Sequence, residues 1–341
     1  MKKLIFTCGT GGVGKTTSSA LLGIAWAYAG YRSILVTIDP ARRLADSLHI
    51  ELEGNQISTV PLPNCSGSLD AMMLDASNVF NSFAKEHSSK EAYQNLQKNR
   101  YFQFARDRMG GIQEYMAIVQ MMNLVQCNEY DVIIIDTPPA RNAIEFLEAP
   151  LRMSKLFSNR VMHWLSSRTG FDAFSLGKSV VSKGLRLFLG DNIITDMTEF
   201  FSLFQTIAEE LNQVSVSALE TMKGERTEFW LVSTPQQNKA LELKEFIRYL
   251  RAEQFPLTGV IWNKYPSALS PLSDEQQQFL STHPEFNPIL SEIDAQLSFL
   301  QHLVSEQMHE LELQDVQHIH IPKTKLHHIN DMVQLAQTIQ L

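Results

Sequence analysis

Apolar residues in this chain fall into two rhythms. The runs LIFTC (4–8), ILVTI (34–38), DVIIID (131–136), EFWLVS (228–233) and LTGVIWN (257–263) are continuous, and VQHIHI (316–321) is a weaker sixth. A strand wetted on one face alternates apolar and polar residues, whereas an unbroken run of branched aliphatics suits a strand covered on both faces. Between the runs, apolar positions recur at spacings of three and four, as over Thr16 to Tyr28, Ala240 to Ala252 and Asp331 to Gln340, which predicts helices. Strands alternating with helices predict an α/β fold built on a doubly wound, mostly parallel sheet.

Two regions break the alternation. Residues 76–126 and 150–222 carry long helical patterns without strand runs. In the second, Ile193, Met197, Phe200, Phe204, Ile207, Leu211 and Val214 make one apolar stripe, which Ile194, Phe201 and Leu203 widen beyond what a helix lying on a sheet needs. The expected organisation is an α/β core from 1–75, 127–149 and 223–341, with a helical subdomain inserted from 76–126 and 150–222.

Composition changes this picture little. A chain of 341 residues with 44% hydrophobic and 19% charged residues can bury a sizeable core. No apolar run approaches the roughly 18–20 residues that span a bilayer. The apolar run after Met1-Lys2-Lys3 breaks at Gly9, so a signal peptide is not expected, and a cytoplasmic location is. A net charge of −8 argues against nucleic acid or an anionic membrane as partner. Cys8, Cys65 and Cys127 are odd in number and far apart, which favours reduced thiols over a disulfide framework or a CxxC metal knuckle.

The chemistry concentrates in CGTGGVGKTT, between the first strand and the first helix. Gly9, Thr10, Gly11, Gly12, Val13, Gly14, Lys15 and Thr16 fit G-x-x-x-x-G-K-[ST], and Thr17 follows. Glycines let successive backbone N–H groups converge on phosphate oxygens, and the next helix adds its positive N-terminal end. Lys15 is expected at the β- and γ-phosphates and Thr16 on Mg²⁺. Asp39 and Asp136 end two predicted strands, where ligands of open α/β sheets bind. Asp136 is the better candidate for the metal side, and Asp39 for orienting or deprotonating an attacking water. Prolines follow both, which suits loops that move when γ-phosphate is lost.

With GTGGVGKTT, DPARRLADSL, GGIQEYMA (110–117), DTPPARNAIEFLEAP, STPQQ (233–237) and GVIWNK (259–264) in view, the chain resembles the arsenical-pump ATPase family, deviant P-loop NTPases that include the ATPase targeting tail-anchored membrane proteins. The likeness to bacterial single-unit members is strongest. The resemblance implies ATP and Mg²⁺ as cofactors, Lys15 and Asp39 as catalytic, Thr16 and Asp136 at the metal, Asn263 on the adenine edge and Pro322, within His320 to Lys323, packing on the base. It also implies a homodimer.

Three departures from the family pattern matter. Thr10 stands where the family carries a signature lysine that crosses to the partner's phosphates, leaving Arg42, Arg43 and Arg141 as candidates to neutralise transition-state charge. The chain has no CxxC pair for interface zinc. It is one ATPase unit with scattered cysteines rather than two fused halves, so arsenite gating is not expected.

The function expected is a nucleotide-driven switch that binds and releases an apolar client. A positioning ATPase of the septum-site or chromosome-partitioning type ranks below, because the tail DMVQLAQTIQL has no Lys or Arg. A small-molecule kinase or ligase, and the motor of an anion pump, are further alternatives. His318 and His320 could share a strand face and chelate a metal, but ordinary imidazoles on an edge strand or loop are the preferred reading, and Met72, Met73, Met121 and Met122 read as core.

Overall fold

The computed structural model describes residues 3–39, 43–108, 111–156, 191–236, 240–266, 272–324, 326 and 328–339. Eight strands form one sheet in the order β3-β4-β2-β5-β1-β6-β7-β8. They are β1 (Lys3–Gly9), β2 (Arg32–Thr37), β3 (Ser58–Thr59), β4 (Ser68–Met73), β5 (Val132–Asp136), β6 (Thr227–Ser233), β7 (Leu257–Tyr265) and β8 (Gln317–Pro322). Every pairing is parallel except β3 with β4. All six runs expected from the sequence are strands of this sheet.

β3 and β4 were not expected. β4, SLDAMM, is less apolar than the central strands because Asp70 points to a polar flank, where it accepts from Thr59 Oγ1 at 2.7 Å and from the Tyr130 hydroxyl at 2.9 Å. It pairs with β2 on one edge and with only two residues of β3 on the other.

Helices cover both faces. On one side α1 (Lys15–Tyr28), α2 (Arg43–Leu48) and α12 (Ile329–Ala336) enclose a core with Ile5, Leu35, Ile134, Val232 and Ile261. On the other, Phe6, Cys8, Val36, Ile133, Phe229 and Trp262 pack under α6 (Ile112–Cys127), α7 (Ala140–Leu156), α8 (Asp191–Met222) and α9 (Ala240–Ala252). Phe229 anchors that side, stacked on Phe6 with ring centroids 4.7 Å apart.

The stretch expected to be helical holds α3 (Ala76–Glu86), α4 (Lys90–Lys98), α5 (Arg100–Arg108) and α6, then α7 and α8. Residues 157–190 of it lie outside the described residues. Ile207 and Leu211 of the α8 stripe are buried, and the Tyr115 hydroxyl of α6 donates to the Leu211 carbonyl and meets Ser215 Oγ at 2.9 Å.

Two helices between β7 and β8, α10 (Asp274–Thr282) and α11 (Asn287–Glu310), were also not expected. Phe279 of α10, Phe286 in the turn between the two helices, and Ile289, Ile293 and Phe299 of α11 stand exposed, and α11 is anchored through Leu303, Val304 and Gln307 near its far end. No Lys or Arg occurs from 265 to 322. The last helix is Ile329–Ala336 rather than Asp331–Gln340, since the His328 backbone N–H donates to the Asp331 carboxylate and starts the helix earlier.

Candidate nucleotide site

β1 ends at Gly9 and α1 begins at Lys15, with Gly14 as its N-cap in the left-handed region at φ 88°. A β-carbon on Gly14 would lie 2.1 Å from Asn263 Nδ2, so only glycine fits the junction. The first turn of α1 holds no acidic residue, which leaves its amide end open to an anion.

A cavity of about 460 Å³ opens over this loop, walled by Gly11, Gly12, Gly14, Lys15, Thr16 and Thr17 and, across from them, by Asp39, Arg43, Asp46 and Asp136. The strands therefore bring Lys15, Thr16, Asp39 and Asp136 to one hollow beyond the sheet's carboxyl edge, as the sequence predicts. The Lys15 ammonium is buried and donates to the carbonyls of Gly9 and Thr10, both at 3.1 Å. Burial pulls it below its ordinary 10.5, and the charge of Asp136 works against that shift.

Asp136 ends β5 in register with Thr7 of β1 and Thr37 of β2. Its carboxylate accepts from Thr16 Oγ1 at 2.7 Å, Thr37 Oγ1 at 3.1 Å and Ser19 Oγ at 3.3 Å. Thr37 and Ser19 were missed in the sequence. Hydroxyl residues carry no motif of their own, although Thr37 lies two residues before Asp39 on a strand already read as delivering an acid to the site.

Burial raises the Asp136 carboxyl from 3.8 to about 6, outweighing its hydroxyl partners and Lys15. The folded protein thus takes up this proton near pH 6, the unfolded chain only near 3.8. The penalty for the charged form is complete above the folded value and relaxes as pH falls through it. Relative to an Asp136→Asn variant, the nucleotide-free protein should gain about 1 kcal/mol of stability between about pH 7 and about pH 5. Denaturant unfolding of both proteins at the two pH values measures it; equal pH dependence would refute the assignment.

Asp39 lies 3.3 Å from Arg43 Nη1. Of the other arginines considered, Arg42 and the side chain of Arg141 lie outside the described residues, as do Gly110 and Gln237 of the family segments. Thr10 is 2% exposed, and its hydroxyl has no hydrogen-bond partner among the described residues. Asn263 flanks the loop: its Nδ2 donates to the Val13 carbonyl at 2.8 Å and its Oδ1 accepts from Lys264 N at 2.9 Å. Pro322 ends β8 opposite Tyr265, whose ring stacks on His320 at 3.9 Å. Neither Asn263 nor Pro322 walls the 460 Å³ cavity.

The histidine pair is no chelator. His318 Nδ1 accepts from Trp262 Nε1 at 3.0 Å and its Nε2 meets the Leu313 carbonyl at 2.9 Å, which occupies both ring nitrogens. Among the described residues no group of three His, Cys, Asp or Glu side chains is placed to hold a metal. Cys8 is buried beside the loop, and burial pushes its thiol up to about 12, so it is inert. Met72, Met121 and Met122 are buried core residues; Met73 is partly exposed beside a second cavity.

A parallel sheet whose first strand runs through a glycine-rich lysine loop into a helix, with a buried aspartate hydrogen-bonded to the loop's threonine, defines a P-loop nucleotide hydrolase. Over residues 2–314 the chain matches the anion-transporting ATPase family, and it belongs to that family. It is 25% identical to the ATPase ASNA1 homolog 2 of Paramecium tetraurelia over 77% of this chain and 75% of the relative. It is 27% identical to the ATPase GET3 of Phaeosphaeria nodorum over 76% of each. With the ATPase ARSA2 of Chlamydomonas reinhardtii it shares 31% identity over 47% of this chain and 41% of the relative. The enzyme is an ATP hydrolase of this family.

Proposed function

We propose that this ATPase is a magnesium-dependent switch that binds and releases an apolar client as a cytoplasmic homodimer. One observation carries the reading. A second cavity of about 630 Å³ lies between the nucleotide edge and the helical layer, walled by Asp39, Arg43 and Pro139 on one side and by Ala76, Gln113 and Asn142 on the other. Asp39, Arg43 and the Pro138-Pro139 segment after Asp136 thus border open space beneath α3, α6 and α7. Loops held by γ-phosphate and released on its loss have room to move there, and α7 follows directly from Asp136-Thr137-Pro138-Pro139. Residues 76–126 and 150–222 are the subdomain that reads the change.

The oxygen donors fit magnesium. Thr16 Oγ1 and the Asp136 carboxylate are hard ligands at the loop, and they would hold the ion directly or through water. When bound, magnesium supplies charge neutralisation at the phosphate oxygens. Lys15 grips the same oxygens, and Asp39 orients the water. Asn263, which donates to the Val13 carbonyl of the loop, and Pro322, which ends the neighbouring β8, are assigned to the base.

The relatives include proteins named GET3, and a hydrophobic helical client is the reading brought from that likeness. The positioning-ATPase alternative is disfavoured by α12, whose Met332, Val333 and Ala336 pack inward and whose polar positions carry no Lys or Arg. ATP turnover of the full chain should rise severalfold with a hydrophobic helical peptide and require magnesium. Peptide that neither binds in a nucleotide-dependent way nor changes turnover sinks the client reading.

A further inference from the structure

We propose that Arg43 is a catalytic residue acting within its own chain, leaving Asp39 to stabilise charge on the transferring phosphoryl group. The inference rests on the nucleotide site described above and adds a role for a residue outside the phosphate loop.

The charge balance of the cavity points to it. Among the described residues, the cations on its wall are Lys15 and Arg43, set against the carboxylates Asp39, Asp46 and Asp136. A triphosphate adds several more negative charges, and the transition state spreads charge over three equatorial oxygens. Lys15 is one buried cation, already beneath the loop on the carbonyls of Gly9 and Thr10. Thr10 is buried and uncharged, so the loop offers no second one. Arg43 stands on the facing wall and also lines the 630 Å³ cavity, so its side chain has open space on both sides.

The present partner of Arg43 is suited to exchange. Its Nη1 lies 3.3 Å from Asp39, one turn away on the chain, and two-thirds of the Arg43 side chain is exposed. An exposed pair of this kind is worth little. A planar guanidinium making two charge-assisted hydrogen bonds to phosphate oxygens is the stronger arrangement. Moving Arg43 from Asp39 to the equatorial oxygens only as the transition state forms also removes a cation from the carboxylate that must accept a hydrogen bond from water. In the step itself, the water oxygen bonds to the γ-phosphorus as the bond to the β,γ-bridging oxygen breaks. ADP leaves with that electron pair, and the water proton passes through Asp39 to the phosphate product. Arg43 neutralises the equatorial oxygens while this happens.

The test uses the full chain with magnesium and three nucleotide probes: ATPγS, ADP, and ADP with aluminium fluoride, which mimics the transferring phosphoryl group. Arg43→Ala should bind ATPγS and ADP within about threefold of wild type, as an exposed residue with no ground-state role would. It should turn over ATP at least about tenfold more slowly and release the ADP–aluminium fluoride complex at least about tenfold faster. Arg43→Lys should recover part of both losses, since it keeps charge without the planar fork. Unchanged trapping and turnover in Arg43→Ala overturn the proposal, as does a loss confined to ADP and ATPγS affinity. Lys15→Ala run alongside separates the two levels. If it too retains turnover, the site reading fails; if it is inactive while Arg43→Ala is not, only this inference fails.

Discussion

Lys15→Ala should leave the protein folded and lower ATP turnover about 100- to 1,000-fold, the range seen when one preorganised donor to a developing anion is removed. Lys15 is buried, and burial already disfavours its charge, so the alanine variant sheds a desolvation penalty as it loses two hydrogen bonds to the carbonyls of Gly9 and Thr10. The loop's shape is set by glycine backbone angles rather than by that ammonium. Thermal unfolding should therefore shift by only a few degrees while phosphate release collapses. Turnover within threefold of wild type would remove Lys15 from the phosphates and with it the proposed site.

Gly14→Ala should weaken ADP binding by about 2–3 kcal/mol, roughly 30- to 150-fold in Kd. The left-handed backbone at φ 88° costs an L-residue about 1–2 kcal/mol, and the new β-carbon would sit 2.1 Å from Asn263 Nδ2. Asn263 cannot step aside without leaving the Val13 carbonyl, which is itself part of the phosphate loop. Calorimetric titration of ADP into Gly14→Ala, Asn263→Ala and the double variant separates the two causes. A smaller effect of Gly14→Ala in the Asn263→Ala background assigns the loss to the contact, and an equal effect assigns it to the backbone. Undiminished affinity in Gly14→Ala alone would mean that these amides do not hold phosphate.

The central sheet was legible in the sequence because its strands are covered on both faces and so carry no polar interruptions. DVIIID and LTGVIWN announce themselves in that way. β4 did not, because Ser68 and Asp70 answer to a polar flank near the sheet edge rather than to the core. α10 and α11 escaped for the opposite reason. Their large apolar residues face solvent, so the rule that apolar spacing marks a buried stripe has no purchase on Phe279 or Phe299.

At the site, Lys15, Thr16, Asp39 and Asp136 were readable because each ends a strand or belongs to a spaced motif. Thr37 and Ser19 were not, since their role exists only once β2, β5 and α1 are assembled around one carboxylate. Pairing Asp39 with Arg43 was within reach of a helical spacing of four, but that Arg43 lines the cavity depends on where α2 starts.

The strand order has a consequence for how the polypeptide is made. Leu4 finds Ile133 on one side and Thr227 on the other. At about 5–20 residues per second, roughly 10–45 s separate the ribosome's addition of Leu4 and Thr227. Until Ile133 emerges the segment LIFTC is a greasy ribbon with neither edge covered, and until Thr227 emerges one edge stays open, a liability for mispairing with other nascent chains. Cells that make this protein should shelter the segment co-translationally, since the strands that cover it emerge long after it does.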